Sequence, residues 1–339
     1  EHEVSLASAT SILENIDYSR YQVLPVGITK EGRWYLYRGP IDRLTANTWC
    51  QEAFATPAFL SPDRSIHGLV LMGPEGYETI PVDVVLPMLH GKNGEDGALP
   101  GLCELAGIPF VGCGLAASAI CMDKAVTHSL LAGAGIAQAT WRTVFPEDLD
   151  SFDRLEETLR DTLGYPMFVK PANAGSSVGI SKVAGKEALL EALHLAFQHD
   201  CKVVVEETIV GDEVECAVLG NEHPVASTVG EIVPSGEFYD YNAKYIDNAS
   251  ELHIPARLPA ETIEEIRRVA VRAFTVLGCK GLSRVDFFVS HRDRKVILNE
   301  LNTMPGFTTI SMYPKLILHS GKTYSELIDA LIELALERR

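Results

Sequence analysis

The 339-residue chain lacks several features that would each have pointed to a particular class of protein. Its seven cysteines are odd in number and nowhere form a C-x-x-C pair, so neither a disulfide framework nor a structural zinc site is indicated. Its apolar runs, such as residues 82–89, stop well short of the ~20 residues that span a bilayer. No charged-then-apolar leader opens the sequence, and no internal repeat appears. We therefore predict reduced thiols, a cytoplasmic location and no membrane partner.

Positive charge is also scarce. The chain has 29 Lys and Arg against 46 Asp and Glu, a formal net charge of -17. This balance predicts that nucleic acid is not a partner, because phosphate backbones are bound through clustered Lys and Arg. Nucleotides are not excluded, since they need only a few local cations. With 46% hydrophobic and 22% charged residues, the composition is that of a globular protein, and the length predicts two or three domains.

Short apolar strands alternate with helical stretches over residues 1–118. The strand segments are YQVLPVGIT, GLVLMG, PVDVVLPMLHG and IPFVGCG. This alternation predicts an N-terminal α/β domain built on a doubly wound parallel sheet. The first residues, EHEVSLASA, are typical of the turn and helix that follow an opening strand. Either the fold lacks that strand, or the printed sequence begins after it.

Two further regions complete the predicted organisation. Residues 119–206 contain a strand, a glycine-rich loop, a strand, an amphipathic helix and a strand, which indicates a compact α+β unit. Residues 207–339 form a third region of strands and helices, interrupted by a polar and aromatic stretch at 237–256. A loop of that length inside a compact domain is usually functional or disordered.

The stretch FVKPANAGSSVGISKV, residues 168–183, combines a lysine with a Gly- and Ser-rich turn. Because Lys170 precedes the glycines, this is not the phosphate loop G-x-x-x-x-G-K-[ST]. Backbone N–H groups between Gly175 and Gly179 are expected to form an anion-binding concavity, or else the segment is a plain hairpin loop. Lys124, after Met122 and Asp123, opens a helix; it too is either a phosphate contact or a solvated lysine.

The segment SRVDFFVSHRDRKVILNELNTMPG, residues 283–306, predicts a hairpin with a polar face. Residues two apart in a strand share a face, which places Arg284 with Asp286 and Glu300 with Asn302. If Asp286 lies opposite Glu300, one face presents two carboxylates and an amide oxygen. Such ligands suit Mg²⁺. The alternative is a solvated face whose charges meet water.

Carboxylates also lie within and after the predicted strand KVVVEETI. Glu206, Glu207 and Glu213 have the chemistry to accept hydrogen bonds from an adenine amino group or from ribose hydroxyls, although surface glutamates are a common alternative. His90 lies at a predicted strand end, where it is either a catalytic residue or an ordinary loop residue.

Taken together, segments in every region resemble the ATP-grasp superfamily and, within it, the D-alanine-D-alanine ligases. The matching segments are EHEVSLASA, LPMLHGKNGEDGALPGLCELAGIPFVGCG, MDK, FVKPANAGSSVGISKV, VVVEETIVGDEVECAVLGN, FYDYNAKY, GLSRVDFFV and NELNTMPGFTTISMYPKL. They occur in the family's order over nearly the whole chain. The resemblance implies an ATP-grasp fold and ATP-dependent joining of two D-alanines through a D-alanyl phosphate, for peptidoglycan precursors. It also implies two Mg²⁺ ions, replaceable by Mn²⁺, and a homodimer.

The resemblance further implies a role for individual positions. The implied metal ligands are Asp286, Glu300 and Asn302. The implied ATP contacts are Lys124, Lys170, Ser176, Ser177, Glu206, Glu207, Glu213 and Lys244. The implied catalytic residues are Glu3, Ser176, Tyr245, Arg284 and Gly306. The implied D-alanine contacts are His90, Ser311 and Met312.

Within that set, Glu3 would meet the ammonium of the first D-alanine, and Arg284 with the Gly306 backbone would stabilise the tetrahedral oxyanion. Residues 237–256, which carry Lys244 and Tyr245, would be a lid that excludes water from the acyl phosphate.

Two alternatives to a D-alanine-D-alanine ligase are open. GITKEGRWYLYRGP and HGKNGEDG also resemble the vancomycin-resistance ligases that accept D-serine or D-lactate, and Asn242 stands where the dipeptide ligases commonly have Glu. The pattern FYDYNAKY and Met312, where the resistance enzymes often have arginine, favour D-alanine. A nucleotide-binding sensor without catalysis is the alternative of another class, and the intact polar set on residues 284–302 argues against it.

Overall fold

Three antiparallel sheets organise the chain. The structure, a computed structural model, describes residues 1–74, 76–175, 177–233 and 251–338, and within these ranges its strands form sheets of five, four and five strands. In this described part, no helix is both long and apolar enough to cross a bilayer. The sheets follow one another along the chain, so each corresponds to a stretch of sequence.

The N-terminal sheet is a meander in which each strand pairs with the next. Its strands are β1 (Val26–Ile28), β2 (Trp34–Tyr37), β3 (Ala55–Leu60), β4 (Gly68–Gly73) and β5 (Gly76–Pro81). The helices of this region are α1 (His2–Asn15), α2 (Asp42–Thr45) and α3 (Ala98–Ala106). Helix α3 buries Leu99, Cys103 and Ala106 in a core shared with Leu60 and Phe110.

The pairing in this sheet corrects the predicted doubly wound parallel arrangement. All four strand pairs, β1 to β5, are antiparallel. Short connections favour this for β1–β2, β3–β4 and β4–β5, because a parallel pair needs a crossover of a dozen or more residues, whereas β2 and β3 are antiparallel although a longer connection with α2 joins them. A parallel pairing does occur between PVDVVLPMLHG and IPFVGCG, on either side of α3, as an isolated bridge from Val85 to Phe110.

The middle sheet matches the α+β unit predicted for residues 119–206. Its strands are β6 (Trp141–Val144), β7 (Met167–Pro171), β8 (Ser181–Val183) and β9 (Val203–Glu207), in the order β6-β9-β7-β8. The helices are α4 (Leu115–Met122), α5 (Lys124–Gly133), α6 (Phe152–Leu163) and α7 (Lys186–Phe197). Leu159 of α6 and Leu189 and Leu193 of α7 pack on Val169 and Val205 of the sheet. The glycine-rich stretch therefore connects β7 to β8.

The C-terminal sheet has helices on both faces. Its strands are β10 (Gly211–Gly220), β11 (Val225–Val233), β12 (Glu251–His253), β13 (Gly281–Ser290) and β14 (Val296–Asn302), in the order β12-β11-β10-β13-β14. The helices are α8 (Ala260–Val276), α9 (Met312–His319) and α10 (Tyr324–Glu337). Helix α8 presents Ile266, Ala270 and Phe274 at helical spacing and buries them completely.

The two-residue alternation of side chains along β13 determines which face of the sheet carries the polar site. Val285 and Phe287 share the core of α8, whereas Leu282 belongs to the core under α9 and α10. Arg284 and Asp286 follow Leu282 at intervals of two, so they lie on the face opposite α8. That face is covered by helices near Leu282, and it carries the polar side chains farther along the strand.

Part of the predicted lid falls within the described residues. Residues 251–253 of the stretch 237–256 form β12, which pairs with β11 through Glu231, Ile232 and Val233. The rest of the stretch up to residue 250, with Lys244 and Tyr245, lies outside the described residues, as does Ser176 of the Gly/Ser turn. The domain boundaries at 118/119 and 206/207 stay predictions.

Candidate active site

The hairpin of β13 and β14 brings the predicted metal ligands together. Asp286 lies opposite Glu300 and Arg284 lies opposite Asn302, which is the register in which one face of the hairpin presents both carboxylates and the amide. The register shifts directly after Asp286, so that Phe287 pairs with Leu298. A bulge of this kind bends the strand and redirects side chains, and it often occurs beside active sites.

Arg284 is held between two buried carboxylates. Its Nε donates to Asp286 Oδ1 and its Nη2 to Asp286 Oδ2, both at 2.7 Å. Arg284 Nε also lies 2.9 Å from Glu215 Oε2, on the neighbouring strand β10. Asn302 Nδ2 donates to Asp286 Oδ2 at 3.1 Å. Because Asp286 is only 8% exposed and Glu215 only 6%, the alternative of a solvated face does not describe this site.

Glu215 is a residue that sequence reasoning missed. It lies directly opposite Asp286 in the pairing of β10 with β13. The available signal was its place in the apolar part of the strand, VECAVL, where a glutamate stands between Val214 and Cys216. An isolated buried carboxylate is costly, so a cationic partner such as Arg284 was to be expected.

The donor chemistry fits a hard divalent cation. Within the described residues, no three Asp, Glu, His or Cys side chains converge as a metal site of their own. Asp286, Glu300 and Asn302 instead offer two carboxylates and one amide oxygen. Mg²⁺ is commonly bound in this way, through one or two carboxylates together with phosphates of the substrate. The residues present therefore fit the implied metal.

Glu206 is the centre of a second charged cluster. Lys170 Nζ donates to its Oε2 at 2.6 Å, and His128 Nε2 lies 3.0 Å from its Oε1. All three side chains are nearly buried. Burial alone would raise the pKa of Glu206, but the charge of Lys170, together with His128 and the hydrogen bonds from both, lowers its pKa to about 2. Glu206 is consequently a carboxylate at neutral pH.

Lys124 is placed beside the Gly/Ser turn by the start of α5. Asp123 caps this helix by accepting from the Val126 N–H at 3.1 Å. Lys124 N donates to Ala172 O at 3.0 Å, and Lys124 Nζ donates to Ala174 O at 2.6 Å. The helix start is thereby bound to the chain just after β7, so that Lys124 and Lys170 face the same space.

A cleft of about 970 Å³ connects these clusters. It lies between the middle and C-terminal sheets. Eight of the predicted site residues line it: Lys124, Lys170, Ser177, Glu206, Glu207, Glu213, Asp286 and Glu300. An adjoining cleft of about 630 Å³ adds Asn302. Residues far apart in sequence thus form one cavity, with two lysines at one side and the metal-type oxygens at the other. Of the cleft's glutamates, Glu207 also accepts from the Thr140 N–H at 2.6 Å.

His90 lies in a network at the N-terminal side of the site. Its Nε2 is 2.9 Å from Ser8 Oγ, and Ser8 Oγ also accepts from the Phe307 N–H at 3.2 Å. Ser8 Oγ–H is therefore available to donate to His90 Nε2. On the other side of the ring, Nδ1 lies 3.1 Å from Met304 O. His90 thus contacts both α1 and the loop that contains Gly306.

The loop after β14 places Gly306 close to Ser311. A Cβ at Gly306 would lie 2.7 Å from Ser311 Oγ, so the close approach requires glycine. Ser311 Oγ accepts from the Thr308 N–H at 3.1 Å. Met312, in contrast, is buried in the core, and a Cβ on Gly230 would lie 2.7 Å from its Sδ. The Met312 side chain is therefore packed in the core and does not line an open substrate surface.

Glu1, rather than Glu3, lies next to the segments that carry other predicted site residues. Glu3 Oε1 lies 2.5 Å from Lys30 Nζ, and its side chain is 56% exposed. The Lys30 ammonium lowers the pKa of this carboxyl. A Cβ on Gly91 would lie 1.6 Å from Glu1 Oε2, and a Cβ on Gly175 would lie 2.9 Å from Glu1 Oε1. Glu1 thus lies between the His90 segment and the Gly/Ser turn.

Comparisons with known proteins identify the same family for the N-terminal and the C-terminal parts of the chain. The family model described as D-ala D-ala ligase N-terminus matches residues 1–113, and the one described as D-ala D-ala ligase C-terminus matches residues 130–333. The D-alanine--D-alanine ligase of Caldicellulosiruptor bescii is 52% identical, covering 100% of this chain and 92% of that protein. The enzyme of the same name from Acetivibrio thermocellus is 51% identical, covering 100% and 93%.

Solved structures extend the similarity to three dimensions. VanG D-Ala:D-Ser ligase from Enterococcus faecalis has a TM-score of 0.89 and 43% identity, covering 98% of this chain and 95% of that one. The D-alanine-D-alanine ligase from Coxiella burnetii has a TM-score of 0.85 and 36% identity, covering 100% and 91%. The α/β and α+β architecture seen here is therefore shared with enzymes that join D-amino acids.

Proposed function

The chain belongs to the D-alanine-D-alanine ligase family and has its ATP-grasp fold, and from that premise we propose that it joins two D-alanines in a reaction driven by ATP. The observation that carries the proposal is the single cleft lined by two lysines, three glutamates of the predicted nucleotide contacts, and the carboxylates of β13 and β14. As a ligase of this family it uses ATP and a divalent metal. Its product serves the synthesis of peptidoglycan precursors.

The proposed reaction has two chemical steps. The carboxylate of the first D-alanine attacks the γ-phosphorus of ATP, which forms D-alanyl phosphate and releases ADP. The amine of the second D-alanine then attacks the acyl carbon, loses a proton, and displaces inorganic phosphate. Both steps concentrate negative charge between the nucleotide and the amino acid, and fixed cations stabilise such charge.

Different side chains of this cleft are assigned to the phosphates, to the adenine and ribose, and to the metal. Lys124 and Lys170 hold phosphate oxygens, with Ser177 and the turn around it closing over them. Glu206 and the backbone beside Glu207 recognise adenine, and Glu213 accepts from the ribose hydroxyls. Asp286, Glu300 and Asn302 hold the metal, for which we propose two Mg²⁺ ions, replaceable by Mn²⁺. When bound, the metal supplies positive charge that neutralises the phosphates.

The amino-acid side of the site is assigned to the residues around His90. Arg284 and the N–H of Gly306 stabilise the oxyanion that forms on the acyl carbon. Ser311 meets the carboxylate of the second D-alanine. Between the two candidate partners of the first ammonium, the position of Glu1 against Gly91 and Gly175 favours Glu1, because Glu3 is already paired with Lys30 at the surface. Ser176, Lys244 and Tyr245 keep their proposed roles at the phosphates and the lid, and they lie outside the described residues.

D-Serine as the second substrate is the alternative, favoured by the structural similarity to the VanG ligase. The more similar relatives are named for D-alanine, which supports D-alanine as the second substrate. A homodimer and a cytoplasmic location stay predictions.

The choice of substrate is tested by phosphate release. Purified protein with ATP and Mg²⁺ is supplied with D-alanine alone, and then with D-alanine plus D-serine or D-lactate, and the product is identified by mass spectrometry. We expect rapid phosphate release and D-alanyl-D-alanine from D-alanine alone. Turnover that appears only after D-serine is added would replace the proposal by the alternative. No release with any of these substrates would favour the nucleotide-binding sensor.

A further inference from the structure

His128 occupies a buried position in the cleft that none of the assigned roles explains. It lies on α5, is 4% exposed, and lines the same cavity as Lys170 and Glu206. Its ring contacts three side chains from outside α5, namely Gln138, Trp141 and Glu206. A buried histidine with this many specific partners has a defined orientation and a defined hydrogen-bonding state.

Both ring nitrogens of His128 face acceptors. Nε2 lies 3.0 Å from Glu206 Oε1, which is a carboxylate oxygen, and Nδ1 lies 2.6 Å from Gln138 Oε1. The amide nitrogen determines the orientation of the Gln138 amide group, because Gln138 Nε2 donates to the backbone oxygen of His128 at 2.7 Å. Exchanging the amide O and N would place two oxygens against each other. Each ring nitrogen must therefore carry a hydrogen, which describes an imidazolium.

The surroundings stabilise that charge. The Trp141 ring lies parallel to His128, with centroids 5.0 Å apart and an interplanar angle of 15°. A cation over an aromatic face is attracted by the ring quadrupole. The carboxylate of Glu206 stands between the imidazolium and the Lys170 ammonium, one on each oxygen. The cluster of His128, Glu206 and Lys170 consequently has two positive charges and one negative charge.

We propose that His128 is a positioning residue for ATP: as a doubly protonated imidazolium it holds Glu206 in one orientation for the adenine and leaves the cluster with a net positive charge. This inference rests on the proposed function, because it assumes that ATP occupies the cleft. Each Glu206 oxygen keeps lone-pair capacity for the adenine amino group. Lys170 can then turn toward phosphate oxygens, since Glu206 retains a cationic partner.

The protonation state is tested first, on the wild-type protein. With histidine labelled by ¹⁵N, the ring signals of His128 are assigned by their loss in His128→Gln. At pH 7.5 we expect both ring nitrogens to have the chemical shifts of protonated nitrogen. A shift typical of an unprotonated nitrogen at either position would overturn the proposal. This measurement needs no activity, so it stands even if ligation of D-alanine is not observed.

The positioning role is tested by kinetics in two variants. His128→Phe removes both donors and keeps an aromatic ring against Trp141, while His128→Gln keeps a neutral donor. We expect the KM for ATP to rise about 10-fold in His128→Phe, as for the loss of one charge-assisted hydrogen bond, and less in His128→Gln. The kcat and the KM for D-alanine should stay within about twofold of wild type.

His194→Gln, an exposed histidine on α7, is the matched control. An unchanged KM for ATP in both His128 variants would overturn the proposal, as would an equal fall in kcat with no change in KM. If His128→Phe does not fold, as judged by circular dichroism, the nitrogen shifts and the His128→Gln kinetics decide the question.

Discussion

At the scale of the residue, the site depends on buried carboxylates that are hydrogen-bonded to cationic and amide side chains. Asp286 accepts two hydrogen bonds from Arg284 and one from Asn302. Glu206 is paired with Lys170 and His128. These are buried, charge-assisted contacts, which are stronger and more orienting than ion pairs at the surface.

Glu300 offers a direct test of the proposed metal site. Glu300→Gln keeps the size of the side chain and removes its negative charge, so the fold should persist while metal binding weakens. We expect kcat at a fixed Mg²⁺ concentration to fall about 100-fold. The measurement is phosphate release as a function of Mg²⁺ concentration. Glu264→Gln, which changes an exposed glutamate on α8, is the control; a near-wild-type rate for Glu300→Gln at saturating Mg²⁺ would refute the assignment.

At the scale of the element, helix α1 is connected to the loop after β14 by one hydroxyl. Ser8 on α1 is completely buried, and its Oγ meets both His90 Nε2 and the Phe307 N–H. Phe307 directly follows Gly306, whose N–H is proposed to bind the oxyanion. The position of the first helix is thereby coupled to the backbone at the reacting centre.

Ser8→Ala should affect both stability and rate. It leaves the Phe307 N–H buried without its acceptor, a loss of about 1–3 kcal/mol in the free energy of unfolding. Because the Gly306–Phe307 backbone is then less well held, we also expect kcat to fall. Urea denaturation and steady-state kinetics measure the two effects. Ser129→Ala, which removes an exposed hydroxyl bonded to its own helix, is the control and should change neither the free energy of unfolding nor kcat. If Ser8→Ala and Ser129→Ala behaved alike, the coupling of α1 to the Gly306–Phe307 backbone would be contradicted.

At the scale of the whole molecule, the cleft is formed where the middle and C-terminal sheets meet. The middle sheet contributes Lys170 and Glu206, and the C-terminal sheet contributes Asp286 and Glu300. Charge buried at this junction links the protonation of the site to the stability of the fold.

Acid should therefore destabilise the protein partly through Glu206. Its pKa is lowered from 4.5 to about 2 in the folded state, so the unfolded chain binds a proton more readily. The stabilisation is fully present above pH ~4.5 and is lost as the pH falls toward about 2. Between pH 6 and pH 3 we expect wild type to lose roughly 2 kcal/mol more of its free energy of unfolding than Glu206→Gln. Denaturant unfolding at several pH values measures this; parallel pH profiles for the two proteins would contradict it.

The sequence by itself determined what depends on spacing along one element or one hairpin. Alternation along residues 283–302 predicted that Arg284 shares a face with Asp286 and Glu300 with Asn302, and the unit of strand, glycine loop, strand and helix was also predicted. The structure confirms these features because a side chain's face follows from the two-residue period of a strand.

Only the tertiary structure decided how distant segments meet. It placed Glu215 against Arg284 and gave Glu206 a second partner in His128. It also placed Met312 in the core and Glu1, rather than Glu3, beside the Gly/Ser turn. The physical reason is that such contacts join residues tens to hundreds of positions apart, and their geometry follows from the packing of whole sheets and helices, which no local period encodes.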